Sequence, residues 1–255
     1  QLPLSGFVLI MHPIIQLFGD FALNSYSLFS TLGAIAFALV CYSEAKRLSF
    51  PIESYWRLFF LVGVFAMLGA KLSYAVFFDT ERLLQHPVDT FLNTGWMFYG
   101  AVIGGYAALF IGRGLFNFSH SNALDGMSYG GIFGIGIGRL ACFFGGCCGG
   151  LPTDSIFGVT FPGGKCAVHP TQLYESIFAF LLFSFITFTR KKFRFDGYQI
   201  SVAAIGYGLF RFMVEFFRED SLIPGFQPFT PSQYISMALI LTGTVIMLVK
   251  KRKNV

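Results

Sequence analysis

Seven runs of about 20 mostly apolar residues occupy most of this chain, at roughly 25–43, 56–78, 96–115, 126–144, 171–189, 199–217 and 232–249. A helix of that length crosses the hydrocarbon of a bilayer, where every backbone N–H and C=O must be bonded within the segment itself. Only 12% of residues are charged and 55% are apolar, against about 25% charged in a soluble domain. The expected fold is an all-α integral membrane protein with seven transmembrane helices. Pro51, Pro87, Pro152, Pro162, Pro170, Pro224, Pro228 and Pro231 all fall at or near span ends. Residues 1–24 carry His12 and Asp20 and lack a basic n-region, so they read as an interfacial helix rather than a signal peptide. The chain thus reads as a single transmembrane domain over 1–255: an interfacial segment 1–24, a core 25–249 and a basic tail 250–255.

Lys and Arg set the expected orientation. Twelve (Lys46, Arg47, Arg57, Arg113, Arg190, Lys191, Lys192, Arg194, Lys250, Lys251, Arg252 and Lys253) fall on one side of this arrangement. Arg82, Lys165 and Arg218 fall on the other, and Lys71, Arg139 and Arg211 lie inside spans. The positive-inside rule then puts the N-terminus outside and the tail in the cytoplasm, as an odd span count requires. The net charge of +5 is a topology signal and calls for no nucleic-acid partner. There is no Walker loop, no dinucleotide-binding fingerprint and no repeat of two similar halves.

The sixth run contains Tyr207, Arg211 and Glu215, which stack on one face of a helix. A charge at the bilayer centre costs several kcal/mol, so such residues face a partner or a water-filled cavity and mark function. The fourth run adds Arg139 near its outer end, and Gly130, Gly134 and Gly138 on one stripe. Glycines at this spacing serve close helix packing first, or the approach of a lipid chain. A guanidinium is a planar fork of donors suited to phosphate and keeps its charge. Two of them in a neutral interior call for an anion such as a lipid headgroup phosphate; the competing reading pairs each separately with Glu215 or Glu175.

The turn after the fourth run is Gly145-Gly146-Cys147-Cys148-Gly149-Gly150, with Cys142 before it and Cys166 and His169 after it. These thiols read first as structural, with Cys147 or Cys148 bridged to Cys166 or simply buried; second as catalytic; last as metal ligands, because the spacing is not a standard zinc pattern. Cys41 reads as packing. His169, ahead of Pro170 in the first turn of a helix, lies near Glu175 at the outer interface, where a proton relay and a packing role compete. His86 and His120 carry no constellation. Tyr26, Tyr74 and Tyr99 sit within or at the ends of spans, where interfacial anchoring is the default.

Taken together these segments resemble the prolipoprotein diacylglyceryl transferase family, most strongly from Asp125 to Glu219. The likeness rests on Gly138-Arg139-Leu140 with the glycine turn ending at Gly150, on His169-Pro170-Thr171-Gln172-Leu173-Tyr174-Glu175, and on Tyr207-Gly208-Leu209-Phe210-Arg211 with Glu215-Phe216-Phe217-Arg218. Weaker echoes are Tyr26, Gly69-Ala70-Lys71-Leu72-Ser73-Tyr74 and Phe98-Tyr99-Gly100. The resemblance implies a multi-pass protein of the bacterial cytoplasmic (inner) membrane. It implies transfer of a diacylglyceryl group from phosphatidylglycerol to the cysteine thiol of a prolipoprotein signal peptide, with release of glycerol phosphate. It further implies that Arg139 and Arg211 handle the phosphate, that Glu215 orients Arg211, and that Tyr26, Tyr207 and Gly150 line the site. Tyr74, Gly100, Gln172, Tyr174, Glu175 and Arg218 are counted with the substrate-binding residues. No cofactor and no metal are implied.

The sequence departs from the family at the base and acceptor half. The family pattern Phe-His-Gly-Gly is here Phe98-Tyr99-Gly100-Ala101. Cys142, Gly145 and Cys147 stand where the family has two asparagines and commonly an acidic residue, and Val168 replaces an arginine. Either the base is different, with Tyr99, His169 or a thiol of Cys142, Cys147 or Cys148 in that role, or the acceptor is not a signal-peptide cysteine. A same-fold lipid transferase with another acceptor or a cysteine-based mechanism is therefore the second reading. A transporter or channel for a small anion or sulfur compound is the third.

Overall fold

A computed structural model describes residues 14–18, 21–116, 119–193, 195–218 and 228–253. His12, Asp20 and Arg194 lie outside these. Strands β1 (Ile14–Phe18) and β2 (Phe21–Asn24) pair antiparallel, with Ile14 opposite Asn24 and Phe18 opposite Phe21. The interfacial helix expected over residues 1–24 is corrected here: residues 14–24 hold a hairpin. β-Branched Ile14 and Ile15 and aromatic Phe18 and Phe21 favour extended, pleated backbone.

Nine helices follow among the described residues: α1 (Ser25–Arg47), α2 (Ile52–Phe78), α3 (Thr80–Gln85), α4 (Pro87–Asn93), α5 (Phe98–Leu115), α6 (His120–Phe144), α7 (Thr171–Thr189), α8 (Tyr198–Val214) and α9 (Pro231–Lys253). A 3-10 turn (Glu215–Phe217) extends α8. Six of them are long and apolar enough to cross a membrane: Ser25–Arg47, Ile52–Phe78, His120–Phe144, Thr171–Thr189, Tyr198–Phe217 and Pro231–Lys250. The apolar stretch of α5 described for this purpose, Gly100–Leu115, is shorter.

The surface of α7 shows the solvent for which these helices are built. Its inner face carries Glu175, Ser176, Ala179, Leu182 and Ile186, all buried, while Ile177, Leu181, Phe185 and Phe188 are exposed, Phe188 by 81%. An apolar stripe of this kind is out of place in water and at home in hydrocarbon.

The chain divides into two compact units, residues 42–124 and the rest. In the first, α2 and α5 meet backbone to backbone: a methyl on Gly69 would collide with the carbonyl of Gly100, and one on Gly104 with that of Phe65. Small residues allow this approach, which in lipid supplies dispersion contacts that apolar burial does not. Lys71 donates to the carbonyls of Phe91 and Leu92, at 3.0 and 2.8 Å, so its charge sits at the negative end of α4. Tyr74 lies flat against Gly95.

In the second unit the glycine stripe of α6 splits by function. A side chain on Gly130 would strike the Cys41 thiol, and one on Gly134 would press on Phe37, so both serve the α1 contact. Cys41 is buried there, as its packing role requires, and its thiol donates to the Gly126 carbonyl at 3.5 Å. A methyl on Gly138 would meet nothing within 4 Å. On α7, Ser176 donates to the Gly136 carbonyl at 2.8 Å. Gly208 and Gly243 bring α8 and α9 together, each facing a backbone carbonyl of the other helix.

Asp125 performs a task that nothing in its sequence context announces. Buried in α6, it accepts hydrogen bonds from the N–H groups of Gly197 and Ile200, at 2.8 and 2.9 Å, and so caps α8 from another helix. Four N–H groups at a helix start lack intrahelical partners, and a carboxylate there satisfies them and complements the dipole. Asp125→Ala should lower stability by about 1–3 kcal/mol, read as an earlier thermal unfolding transition in detergent; an unchanged transition would contradict the capping role.

Candidate active site

Four sequence segments converge at one end of α6, α7, α8 and α9. Arg139 closes within 2.8 Å of the Glu175 carboxylate. Arg211 lies 2.8 Å from Glu215 and 3.5 Å from Glu175. Arg218 stands 3.7 Å from both carboxylates. Arg139 and Arg211 each have a carboxylate of their own at 2.8 Å, Glu175 and Glu215, as the separate-pairing alternative has it, and Glu175 is in addition approached by Arg211 and Arg218. Its side chain is fully buried at 0% exposure, with guanidiniums around it, and a buried carboxylate stripped of such partners is strongly destabilising. Tyr207 donates to it at 3.4 Å and also meets Arg139. Thr230 donates to Glu215 at 2.9 Å, and Arg211 donates to Ser232 at 3.3 Å.

Among the described residues, three guanidiniums meet two carboxylates, a formal excess of one positive charge. Arg139 is the most open of the three, at 21% against 12% and 9%, and the empty space at Gly138 adjoins it in the chain. The cluster is therefore least covered on the Arg139 side.

Backbone pairing sets the position of Arg218. The chain leaves α6, runs through the glycine turn and returns to α7 at His169. Gly150 donates to the His169 carbonyl at 2.9 Å, His169 to the Leu151 carbonyl at 3.0 Å, and Leu151 to the Phe217 carbonyl at 2.9 Å. Gly150 is thus clasped between the start of α7 and the end of α8. A methyl there would collide with the Phe217 carbonyl and lie 2.8 Å from that of His169. The His169 ring bonds to the Tyr174 hydroxyl at 3.2 Å and packs on Phe217, at 5.1 Å between ring centres. His169 and Tyr174 therefore brace the clasp that carries Arg218.

The thiols form a second cluster. The sulfurs of Cys142, Cys147 and Cys148 lie within 4.8 Å of one another. Gln172 donates to the Cys147 carbonyl at 2.6 Å and Thr171 to the Cys148 carbonyl at 3.1 Å, both from fully buried side chains. Cys148 adopts φ +63°, a left-handed conformation that non-glycine residues rarely take unless their surroundings impose it. Hydrogen bonds from Cys142 and Cys147, with the charges of Arg218 and Arg139, outweigh burial and hold the Cys148 thiol down to about 5. Burial and its charged neighbour raise Cys147. None of the five cysteines is in a disulfide, and exposed Cys166 stands outside the cluster, so the expected bridge from the turn to Cys166 is not formed. Tyr26 packs against Gly145 at the foot of the turn.

Tyr74 and Gly100 belong to the unit of residues 42–124, where Gly100 abuts Gly69 and Ser73. Tyr99 starts α5, and its side chain lies outside the described residues. Thr230, Ser232 and Thr171 escaped the sequence reading; the available signal was hydroxyls beside Pro231 and Pro170 at helix starts.

A polytopic helical protein with a guanidinium-rich cluster at one end of its helices is a membrane protein made to hold an anion. The family model described as prolipoprotein diacylglyceryl transferase matches residues 13–249, and the chain belongs to that family of membrane transferases. The phosphatidylglycerol–prolipoprotein diacylglyceryl transferase of Pasteurella multocida is 32% identical over 248 residues, covering 93% of this chain and 91% of the relative. Those of Geobacter sulfurreducens and Clostridium tetani are 31% identical over 253 residues (94% and 96%) and 30% over 243 residues (92% and 96%).

Glu175→Gln should cost about 3–5 kcal/mol, because three guanidiniums would then share one carboxylate. Thermal unfolding in detergent measures it; a variant as stable as the parent would show that Glu175 does not hold the cluster together.

Proposed function

We propose that this chain transfers the diacylglyceryl group of phosphatidylglycerol to the cysteine thiol of a prolipoprotein signal peptide in the cytoplasmic membrane of a bacterium. The observation that carries the reading is the positive excess of the Arg139, Arg211 and Arg218 cluster around Glu175 and Glu215. Its support is family membership and the activity for which relatives matched along nearly their whole length are named.

In this reaction the acceptor sulfur loses its proton and attacks the glyceryl carbon attached to phosphate. The carbon–oxygen bond breaks, its electron pair stays on the phosphate oxygen, a thioether forms and glycerol phosphate leaves. Charge develops on that oxygen, and donors already aimed at it stabilise the transition state without reorganising. Arg139 and Arg211 take that role. Glu215 and Glu175 orient them, Tyr207 fixes Glu175, and Gly150 seats Arg218. Tyr26, Gln172 and Tyr174 are proposed to line or support the site, and His169 remains a proposed proton acceptor.

The chain works as a single transmembrane domain of seven spans, with α5 the seventh, the N-terminus outside and the tail in the cytoplasm. The twelve-to-three Lys/Arg asymmetry supports this orientation. It sets the cysteine turn and the arginines on the outer side, where a signal-peptide cysteine emerges.

Radiolabelled phosphatidylglycerol incubated with purified protein and a signal peptide should give a peptide heavier by one diacylglyceryl group. Arg211→Ala should slow that transfer by at least about 100-fold, and an active Arg211→Ala protein would sink the assignment. Label appearing on another lipid or on the protein's own cysteines would favour the same fold with a different acceptor.

A further inference from the structure

The three-thiol cluster has no role in the phosphate chemistry just described, and the residue that would serve as base in the family pattern is replaced by Tyr99. Its geometry is built rather than incidental. Cys142 comes from the last turn of α6, and Cys147 and Cys148 from the turn that follows. Two fully buried side chains, Gln172 and Thr171, clamp the carbonyls of Cys147 and Cys148. The Cys147 N–H donates to the Cys142 carbonyl at 3.1 Å, which folds the turn back over the helix end. Left-handed φ at Cys148 completes the fold-back and turns it toward the other two.

We propose that Cys142, Cys147 and Cys148 form a three-thiolate Zn²⁺ site whose open fourth position takes the thiol of the acceptor cysteine as a thiolate. Soft thiolates select zinc or Cu(I) among the common ions. Three protein ligands with one open position is the pattern of a working rather than a structural zinc. Tetrahedral zinc at about 2.3 Å from each sulfur sets neighbouring sulfurs about 3.8 Å apart. The three sulfurs lie within 4.8 Å of one another. A thiol bound to zinc is deprotonated outright, which removes the need for a strong base.

The inference rests on the transferase reading and deepens it. The acceptor thiol releases its proton to water as its sulfur binds zinc. That sulfur then forms the bond to the glyceryl carbon, the carbon–oxygen bond breaks, and glycerol phosphate leaves with the electron pair. The thioether product is a poorer ligand than the thiolate and dissociates. Nothing is oxidised or reduced.

The test uses the full chain purified in detergent under reducing conditions, with zinc measured by elemental mass spectrometry and Co²⁺ exchanged in as an optical probe. One zinc per chain is expected, with thiolate-to-cobalt charge-transfer bands after exchange. Those bands should shift when a signal peptide with one cysteine is added, and stay put with its serine analogue. Cys147→Ser and Cys148→Ser should each weaken zinc by more than about 100-fold, beyond what loss of a mere supporting contact costs, while Cys166→Ser keeps it. Chelation of the unmutated protein, which needs no variant to fold, should abolish transfer, and zinc should restore it. Metal at background level, Cu(I) binding without zinc, or full transfer by zinc-free protein would overturn the proposal; the last would leave the transferase reading standing. Zinc bound and cobalt bands shifted by the peptide, with phosphatidylglycerol left intact, would support the site while removing the transferase reading.

Discussion

Everything at the functional end of this protein is organised around one carboxylate. Glu175 is fully buried on the inner face of α7, in a segment whose other faces are hydrocarbon. A lone carboxylate there would be untenable, and two partners would neutralise it in excess. With Arg139, Arg211 and Arg218 all within 3.7 Å, and Glu215 sharing two of them, the group carries a residual positive charge. That surplus is the feature a membrane enzyme needs for a lipid phosphate. It also ties α6, α7, α8 and the turn after α8 to one point, so stability and substrate binding draw on the same contacts.

The glycine turn links this charge cluster to the thiols. Gly150 is the joint: its backbone bonds to His169 on one side and the next residue bonds to Phe217 on the other. The same excursion that seats Arg218 also folds Cys147 and Cys148 back over Cys142. The arginine cluster and the thiols are therefore held by one short stretch of backbone.

Much of this was legible in the sequence because membranes impose simple constraints. Span length and low charge lead to seven spans, six of which stand in the structure as helices long and apolar enough to cross a membrane, and the spacing of Arg211 and Glu215 survives as a 2.8 Å ion pair. The sharing of Glu175 was not legible, because it depends on where α6 and α8 cross α7 rather than on any spacing within one helix. The pairing of Ile14–Phe18 with Phe21–Asn24 was not legible because His12, Asp20 and the lack of a basic n-region bear on the membrane interface and not on backbone conformation. Asp125 was passed over because a cap supplied from another helix leaves no trace beside the helix it caps. The glycine stripe was read correctly as packing at Gly130 and Gly134, while Gly138 faces open space beside the arginine that follows it. The cysteines were the hardest, since an adjacent pair plus one distant residue fits several chemistries until the turn is seen to close.

The account stands on the buried positive surplus being an anion site for lipid phosphate. Native mass spectrometry of the detergent-purified protein, titrated with phosphatidylglycerol and with zwitterionic phosphatidylcholine, tests that most directly. One phosphatidylglycerol should be retained per chain, phosphatidylcholine should be lost readily, and the Arg139→Gln/Arg211→Gln double variant should retain neither. Equal retention of the two lipids, or undiminished phosphatidylglycerol binding by the double variant, would contradict it.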